Sequence, residues 1–201
     1  MMTLYVFDLD AGRTCLDFAN TLGASSGEHL NSYADLVAFA EQSAYITPED
    51  AAWLRAQAER DRPAGDAVLR RAYRLRAAIY AIFSAVAACQ TPAEGDLETL
   101  NGELGIALQH TRVDIRGGYR WDWDGCELST PLWAIARSAA DVLTSEAERG
   151  RVRECSSDTC RWLFLDTSKN RSRQWCSMQS CGNREKARRH YQKVRAKQSV
   201  D

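Results

Sequence analysis

Four of the seven cysteines lie within 27 residues near the end of this 201-residue chain. Cys155 and Cys160 form one doublet with four residues between them, and Cys176 and Cys181 form a second doublet with the same spacing. Because Zn²⁺ takes four ligands tetrahedrally and favours thiolate sulfur, the two doublets predict a closed four-cysteine zinc site. A closed site leaves no water on the metal to activate, so the predicted zinc is structural. An iron–sulfur cluster and a metal-free cluster are the alternatives.

The segment 151–201 is too short to be held together by a hydrophobic core alone, and a bound zinc supplies the missing stability. Zinc binding is worth about 10–16 kcal/mol in comparable peptides. The sequence from Arg161 to Asp166 predicts a strand, 167–170 a turn and 171–175 a returning strand. Gly182-Asn183 predicts a tight turn and an N-cap for a following helix. The prediction is therefore a treble-clef-like or ribbon-like four-cysteine zinc finger.

The net charge of −1 conceals two oppositely charged parts. Residues 1–150 contain 13 basic and 22 acidic residues, a net charge of −9, whereas residues 151–201 contain 13 basic and 5 acidic residues, a net charge of +8. Such an asymmetry predicts an anionic partner for the basic end. It also predicts two domains, an acidic one over 1–150 and a basic finger over 151–201.

The segment 184–197 has the composition of a helix and holds seven cations, with Glu185 its one acid. Helical spacing places Ala187, Tyr191 and Val194 on one stripe, which we expect to face the hairpin or the body. A helix of about 20 Å fits the major groove of B-DNA, and its cations would neutralise phosphates. The predicted nucleic-acid-binding residues are Arg171, Arg173, Asn183, Arg184, Lys186, Arg188, Arg189 and Lys193. RNA stays open as a target, and so does a helix that docks on the acidic body.

The acidic part is predicted to be mainly helical, so that the whole chain is mainly α with small β-hairpins (α+β). Its helices are predicted over 32–43, 47–60, 66–90, 96–108 and 130–150, from capping residues and apolar spacing. Alternating residues on both sides of Gly117-Gly118 predict a β-hairpin. The first 20 residues are predicted to add a short strand pair.

We find no catalytic motif in the acidic part, and its histidines have no informative spacing to a nucleophile or a carboxylate, so an enzyme is not expected. Asp17, Asn20 and Thr21 would share one side of a helix, with Arg76 as a nearby cation. These four residues are the predicted ligand-binding residues, as the wall of a polar pocket. Capping and turn formation are the alternative role for Asp17, Asn20 and Thr21. The single cysteines Cys15, Cys89 and Cys126 are expected to be small buried hydrophobes.

The chain has no apolar run long enough to cross a membrane, and its first residues are acidic where an export signal would be basic and then apolar. We therefore expect a cytoplasmic protein without a membrane partner.

The segment 151–195 resembles the CGNR zinc finger, which is named for the tetrad that stands here as Cys181-Gly182-Asn183-Arg184. The preceding part is similar to the ABATE domain that accompanies this finger. The similarity lies in LDFANTL at 16–22, Leu75-Arg76, Leu100-Asn101 and LWAIARSAADVL at 132–143. The resemblance implies a stress-induced bacterial transcription regulator with a DNA-binding finger, zinc ligands Cys155, Cys160, Cys176 and Cys181, and a body that senses a small molecule.

The leading hypothesis is a bacterial transcription regulator that binds DNA through a structural-zinc finger. A zinc-stabilised protein-interaction module, or an RNA binder, is the alternative. A homodimer would be expected if the DNA target were palindromic.

Overall fold

The longest helix, α4 (Arg62–Ala87), buries an apolar stripe that includes Leu75, Ile79 and Phe83. It begins four residues before the predicted Asp66, because the Asp61 side chain accepts a hydrogen bond from the amide of Ala64 and Pro63 fits the first turn.

The computed structural model describes residues 5–23, 27–114, 120–123 and 125–198.

Helix α1 (Thr14–Ala19) is buried along its whole length and packs against α4, helix α6 (Thr130–Thr144) and strand β6 (Leu163–Leu165). The predicted strand pair in the first 20 residues is wrong, because the described residues up to Asn20 contain α1 and otherwise irregular chain. Residues 5–10, whose β-rich composition led to the prediction, form no regular structure. A two-residue pair, β1 (Leu22–Gly23) and β2 (Gly27–Glu28), follows the helix.

Three further helices begin close to where the sequence predicts them. They are α2 (Tyr33–Gln42), α3 (Pro48–Arg60) and α5 (Glu94–Gln109). Ser32 caps α2 through its hydroxyl, and Thr47 and Asp50 form a reciprocal capping box at the start of α3.

Strands β3 (Thr111–Asp114) and β4 (Arg120–Trp123) pair antiparallel and confirm the predicted hairpin, whose Gly117-Gly118 turn lies outside the described residues. The predicted helix over 130–150 is divided into α6 (Thr130–Thr144) and α7 (Glu146–Arg149). The break is at Ser145, whose backbone is extended and whose hydroxyl caps α7.

The hairpin of the cysteine-rich segment differs from the predicted one. Strand β6 (Leu163–Leu165) pairs with β5 (Val152–Glu154), which precedes the first cysteine doublet. The segment 171–175, predicted to return as the partner strand, forms no strand. It is held instead by single hydrogen bonds, including one from the Arg173 amide to Asp166 and one from the Ser156 amide to Gln174.

A π-helical turn (Met178–Gly182) leads without interruption into α8 (Asn183–Gln198). Ser177 caps this turn, so the prediction of Asn183 as N-cap is wrong, because Asn183 already has helical backbone angles. The predicted packing of the Ala187 and Tyr191 stripe is also wrong, since both side chains are exposed and Tyr191 is 69% exposed. Of the described side chains of α8, Glu185 is the buried one.

The hydrophobic core continues across the predicted domain boundary at 150/151. Val152, Leu163, Phe164 and Leu165 are buried in the same cluster as the helices of the acidic part. Strand β5 packs on α4, and β6 packs on both α1 and α4. The finger hairpin is therefore part of the main core, whereas the described side chains of α8, apart from Glu185, are exposed.

Candidate metal centre and basic helix

The four clustered cysteines converge on one point at the junction of the hairpin and α8. Cys155 and Cys160 lie in the loop between β5 and β6, while Cys176 precedes the π-helical turn and Cys181 lies within it. Their sulfur atoms all lie within 4.8 Å of one another. The loop 155–162 between β5 and β6, which we call the zinc knuckle, carries two of the four cysteines, and the other two lie just before α8. This is the treble-clef arrangement.

The sulfur spacing fits a tetrahedral zinc. The Sγ atoms of Cys160 and Cys176 are 3.5 Å apart, and those of Cys176 and Cys181 are 3.7 Å apart. Zinc–sulfur bonds of about 2.3 Å place tetrahedral sulfurs about 3.8 Å from one another. The four-cysteine cluster is thus a structural zinc site, in which Cys155, Cys160, Cys176 and Cys181 would bind the ion.

The four thiols also restrict one another's ionisation. Hydrogen bonds from Cys160 and Cys176 lower the pKa of the Cys155 thiol. The same contact with Cys155 raises the pKa of Cys160, and contacts with Cys155 and Cys160 raise the pKa of Cys176. Without a metal, the four thiols favour a state with one thiolate that accepts hydrogen bonds from its neighbours. A bound divalent cation would displace the protons and allow all four thiols to ionise.

The loop that carries the first doublet is closed by local hydrogen bonds. The amide of Cys155 donates to the carbonyl of Trp162 at 2.8 Å, and the amide of Cys160 donates to Ser157 at 2.9 Å. Arg161 follows with a φ of 59°, a left-handed conformation that turns the chain back into β6. This geometry presents both sulfurs to the same point.

The residues of the CGNR tetrad, Cys181 to Arg184, lie at or beside the four-cysteine cluster. Cys181 supplies a sulfur, and Gly182 is buried beside Trp175 and Met178. The Asn183 side chain donates to the carbonyl of Gln179 at 3.2 Å. Arg184 donates from Nη2 to the sulfur of Cys181 at 3.2 Å, and this bond raises the pKa of the guanidinium. Arg184 therefore places a positive charge against the thiolate cluster.

Two more of the predicted nucleic-acid-binding arginines are engaged within the finger. The guanidinium of Arg173 lies 4.6 Å from the centre of the Phe164 ring and donates to the carbonyls of Trp175 and Cys176. Arg188 forms ion pairs with Asp158 at 2.8 Å and with Glu185 at 3.0 Å. Both arginines thus make contacts within the finger.

The other predicted cations lie on the surface. Arg171, Lys186 and Arg189 are exposed, and none of the three has a carboxylate partner among the residues that the structure describes. The structure describes the helical backbone at Lys193 but not its side chain, which lies outside the described set. Lys186 and Arg189 are thus the best-defined exposed cations of α8.

The sequence did not predict a role for Glu185, which connects α8 to the zinc knuckle through a hydrogen bond. It is 6% exposed and accepts a hydrogen bond from the hydroxyl of Ser157 at 3.3 Å. Its second oxygen pairs with Arg188. An isolated acid in a strongly basic helix was the one signal that could have indicated this role.

The predicted ligand-binding residues of the body have structural partners. Asp17 accepts a hydrogen bond from the amide of Ala11 at 2.8 Å. Arg76 bonds Thr21 at 3.0 Å and forms a two-point ion pair with Glu28, whose pKa is lowered by this guanidinium against the opposing effect of burial. The structure thus brings Thr21 and Arg76 together but directs Asn20 elsewhere, to the backbone of Leu163.

Two separate cavities adjoin these residues. Asn20 faces a cavity of about 220 Å³ beside the cysteines and Arg184. Arg76 lies in the wall of another cavity of about 520 Å³, between α4 and the knuckle. The four predicted residues therefore do not line a common site.

The single cysteines lie in different surroundings. Cys15 is fully buried and Cys126 half-buried, but Cys89 is exposed, which contradicts the expectation that all three are buried. Cys89 follows the end of α4 with a φ of 56°, in a turn where no apolar surface covers it.

Among the described residues, no helix has both the length and the apolar character that crossing a membrane requires.

Comparison with known protein families agrees with this arrangement. A search of curated proteins gave no match. Residues 151–194 match the CGNR zinc finger, and residues 12–146 match ABATE, a family described as "Putative stress-induced transcription regulator". Since the second match covers about two thirds of the chain, the protein belongs to the ABATE family and carries a CGNR zinc finger after its ABATE domain.

Proposed function

We propose that the protein is a DNA-binding transcription regulator whose zinc site holds α8 away from the body as the DNA-contacting element. The observation that supports this most directly is the exposure of α8 together with its charge. Its described side chains apart from Glu185 are exposed, and five of the exposed ones are basic: Arg184, Lys186, Arg188, Arg189 and Arg195.

The structure divides these cations by role. Arg184 and Arg188 contact sulfur or carboxylates of the finger, so they position the helix. Lys186 and Arg189 extend into solvent, where phosphate groups can replace water around them. The sixteen residues of α8 span about 24 Å, and a helix of that length can follow the major groove.

The zinc site has a structural role in this proposal, and the protein is not an enzyme. His29 stacks on Tyr5 and His110 stacks on Trp133. The helical body supplies the regulatory input as a sensor of a small molecule.

The experiment is a fluorescence-anisotropy titration of labelled random-sequence duplex DNA with the zinc-loaded full chain. The double variant Lys186→Ala/Arg189→Ala should weaken binding at least about tenfold, because two phosphate contacts are removed. Arg70→Ala/Arg74→Ala is the matched control, since it removes two exposed arginines of α4 and changes net charge equally. Equal weakening by both variants would contradict the proposal.

A protein-interaction role is the second candidate, and the exposure of Ala187 and Tyr191 on one side of α8 favours it. An exposed aromatic residue on a projecting helix is typical of a contact with another protein. Tyr191→Ala should abolish such a contact while Lys186→Ala/Arg189→Ala spares it. Competition between duplex DNA and single-stranded RNA in the anisotropy assay would separate an RNA-binding role.

A further inference from the structure

A cavity of about 520 Å³ opens between the ABATE helices and the zinc knuckle. Tyr73, Ala77 and Tyr80 of α4 form one wall, and Cys160 and Trp162 of the knuckle form the opposite wall. The volume lies within the range of small-molecule sites in proteins, about 300–1,000 Å³. A molecule bound there would touch both parts of the chain at once.

The charged groups at its walls already have partners. The Arg76 guanidinium is held by Glu28 through two hydrogen bonds and by Thr21 through a third. Arg161 donates to Glu154 at 2.8 Å. A charged ligand would lose its hydration without gaining an uncompensated counter-charge, so the cavity favours an uncharged molecule.

The two tyrosine hydroxyls on the α4 wall can accept a hydrogen bond. The hydroxyl of Tyr73 donates its one hydrogen to the carbonyl of Leu30 at 2.5 Å, and that of Tyr80 donates to the carbonyl of Arg161 at 3.2 Å. Each oxygen keeps lone pairs that can accept. A complementary ligand therefore brings its own donor, and the rings of Tyr73, Tyr80 and Trp162 favour an aromatic body.

We propose that this cavity binds an uncharged aromatic small molecule that carries a hydrogen-bond donor, a compound of the phenol, indole or aniline class. Binding itself is independent of the DNA-binding role proposed above, and only its regulatory consequence rests on that role. Because Cys160 and Trp162 belong to the knuckle, an occupant joins α4 to the element that orients α8.

The test is isothermal titration calorimetry of the zinc-loaded full chain with three related probes. 2-Naphthol is uncharged and donates, 2-methoxynaphthalene is uncharged without a donor, and 2-naphthoate is anionic. We expect 2-naphthol to bind about tenfold more tightly than 2-naphthoate, because a desolvated carboxylate is not compensated. We expect it to bind at least about threefold more tightly than 2-methoxynaphthalene, which lacks one hydrogen bond.

Ala77→Phe places a ring in the cavity and should weaken 2-naphthol binding by about tenfold or more. Ala52→Phe is the control, since Ala52 is an exposed alanine of α3 away from the cavity. Absence of 2-naphthol binding to the wild type, tighter binding of 2-naphthoate, or equal binding by Ala77→Phe and the wild type would overturn the proposal.

Anisotropy titrations with duplex DNA on the same samples separate the two proposals. If the wild-type chain binds 2-naphthol but not duplex DNA, the DNA-binding function alone is contradicted. Intact DNA binding without 2-naphthol binding contradicts the cavity proposal alone.

Discussion

The side-chain amide of Asn20 pairs with the backbone of Leu163 through two hydrogen bonds. Its Nδ2 donates to the carbonyl of Leu163 at 2.9 Å, and the amide of Leu163 donates to its Oδ1 at 2.9 Å. Both residues are buried. The Asn20 side chain forms with β6 the pair of hydrogen bonds that a neighbouring strand would otherwise form. It joins the ABATE helices to the zinc finger, although 143 residues separate the partners.

Asn20→Ala leaves a buried donor and a buried acceptor of Leu163 without partners. We expect the free energy of unfolding to fall by about 2–4 kcal/mol, because each unsatisfied buried group costs about 1–3 kcal/mol. Urea denaturation of the zinc-loaded chain measures this loss. Asn101→Ala, at an exposed asparagine of α5, should change stability by less than about 0.5 kcal/mol, and a similar loss in both variants would contradict the assigned role.

Removal of zinc should destabilise the whole chain, because the hairpin beside the metal belongs to the main core. We expect chelation, or Cys155→Ser, to lower the melting temperature by about 10 °C or more. Elemental analysis should find one zinc for each wild-type chain. Cys89→Ser, at an exposed cysteine outside the cluster, should change neither value, and an unaltered melting temperature after verified zinc loss would refute the prediction.

Arg184 should strengthen zinc binding by offsetting the negative charge of the thiolates, since its Nη2 lies 3.2 Å from the Cys181 sulfur. Arg184→Ala should lower zinc affinity about tenfold, the usual size of an effect from a partner of a metal ligand. Competition with a chromophoric chelator measures the affinity. Lys186→Ala removes a neighbouring charge without a sulfur contact, so equal affinity loss in both variants would argue for a general charge effect.

Stability should depend on pH through Asp17. Burial raises the pKa of this carboxyl from 3.8 to about 6, and Asp8 and Asp10 nearby add to the shift. The folded state therefore holds a proton that the unfolded state has lost between these values, so this contribution to stability is present at low pH and declines as pH rises through 6.

Asp17→Asn keeps an oxygen for the Ala11 amide and removes the charge. We expect it to stabilise the protein by about 2 kcal/mol at pH 7.5 and by progressively less towards pH 5. Urea denaturation across this range gives the difference. Asp66→Asn, at an exposed position of α4, should show no such trend, and a pH-independent difference for Asp17→Asn would exclude the titration.

Local sequence patterns predicted the elements that local interactions determine. Ser32 and Thr47 act as predicted caps, and the spacing of four cysteines indicated their convergence. The partner of β6 could not be predicted in this way, because strand pairing depends on which backbone edge is free after the chain folds. The two hydrogen bonds between Asn20 and Leu163 were missed for the same reason, since they join positions with no shared local pattern.

The roles of the finger arginines required the tertiary structure as well. Composition does not distinguish Arg173, Arg184 and Arg188 from the other cations. In the folded chain they contact an aromatic ring, a sulfur and two carboxylates, respectively. The exposure of α8 was also misjudged, because its Ala187 and Tyr191 stripe has the spacing of a packed face.

The most direct test of the central claim, that zinc holds α8 as a phosphate-binding helix, is the salt dependence of duplex DNA binding. A plot of log affinity against log salt concentration should have a slope of about −3 or steeper for the wild type. Lys186→Ala/Arg189→Ala should reduce its magnitude by about 2, and Arg70→Ala/Arg74→Ala should leave it unchanged. A slope near zero for the wild type, or the same slope for all three proteins, would contradict the account.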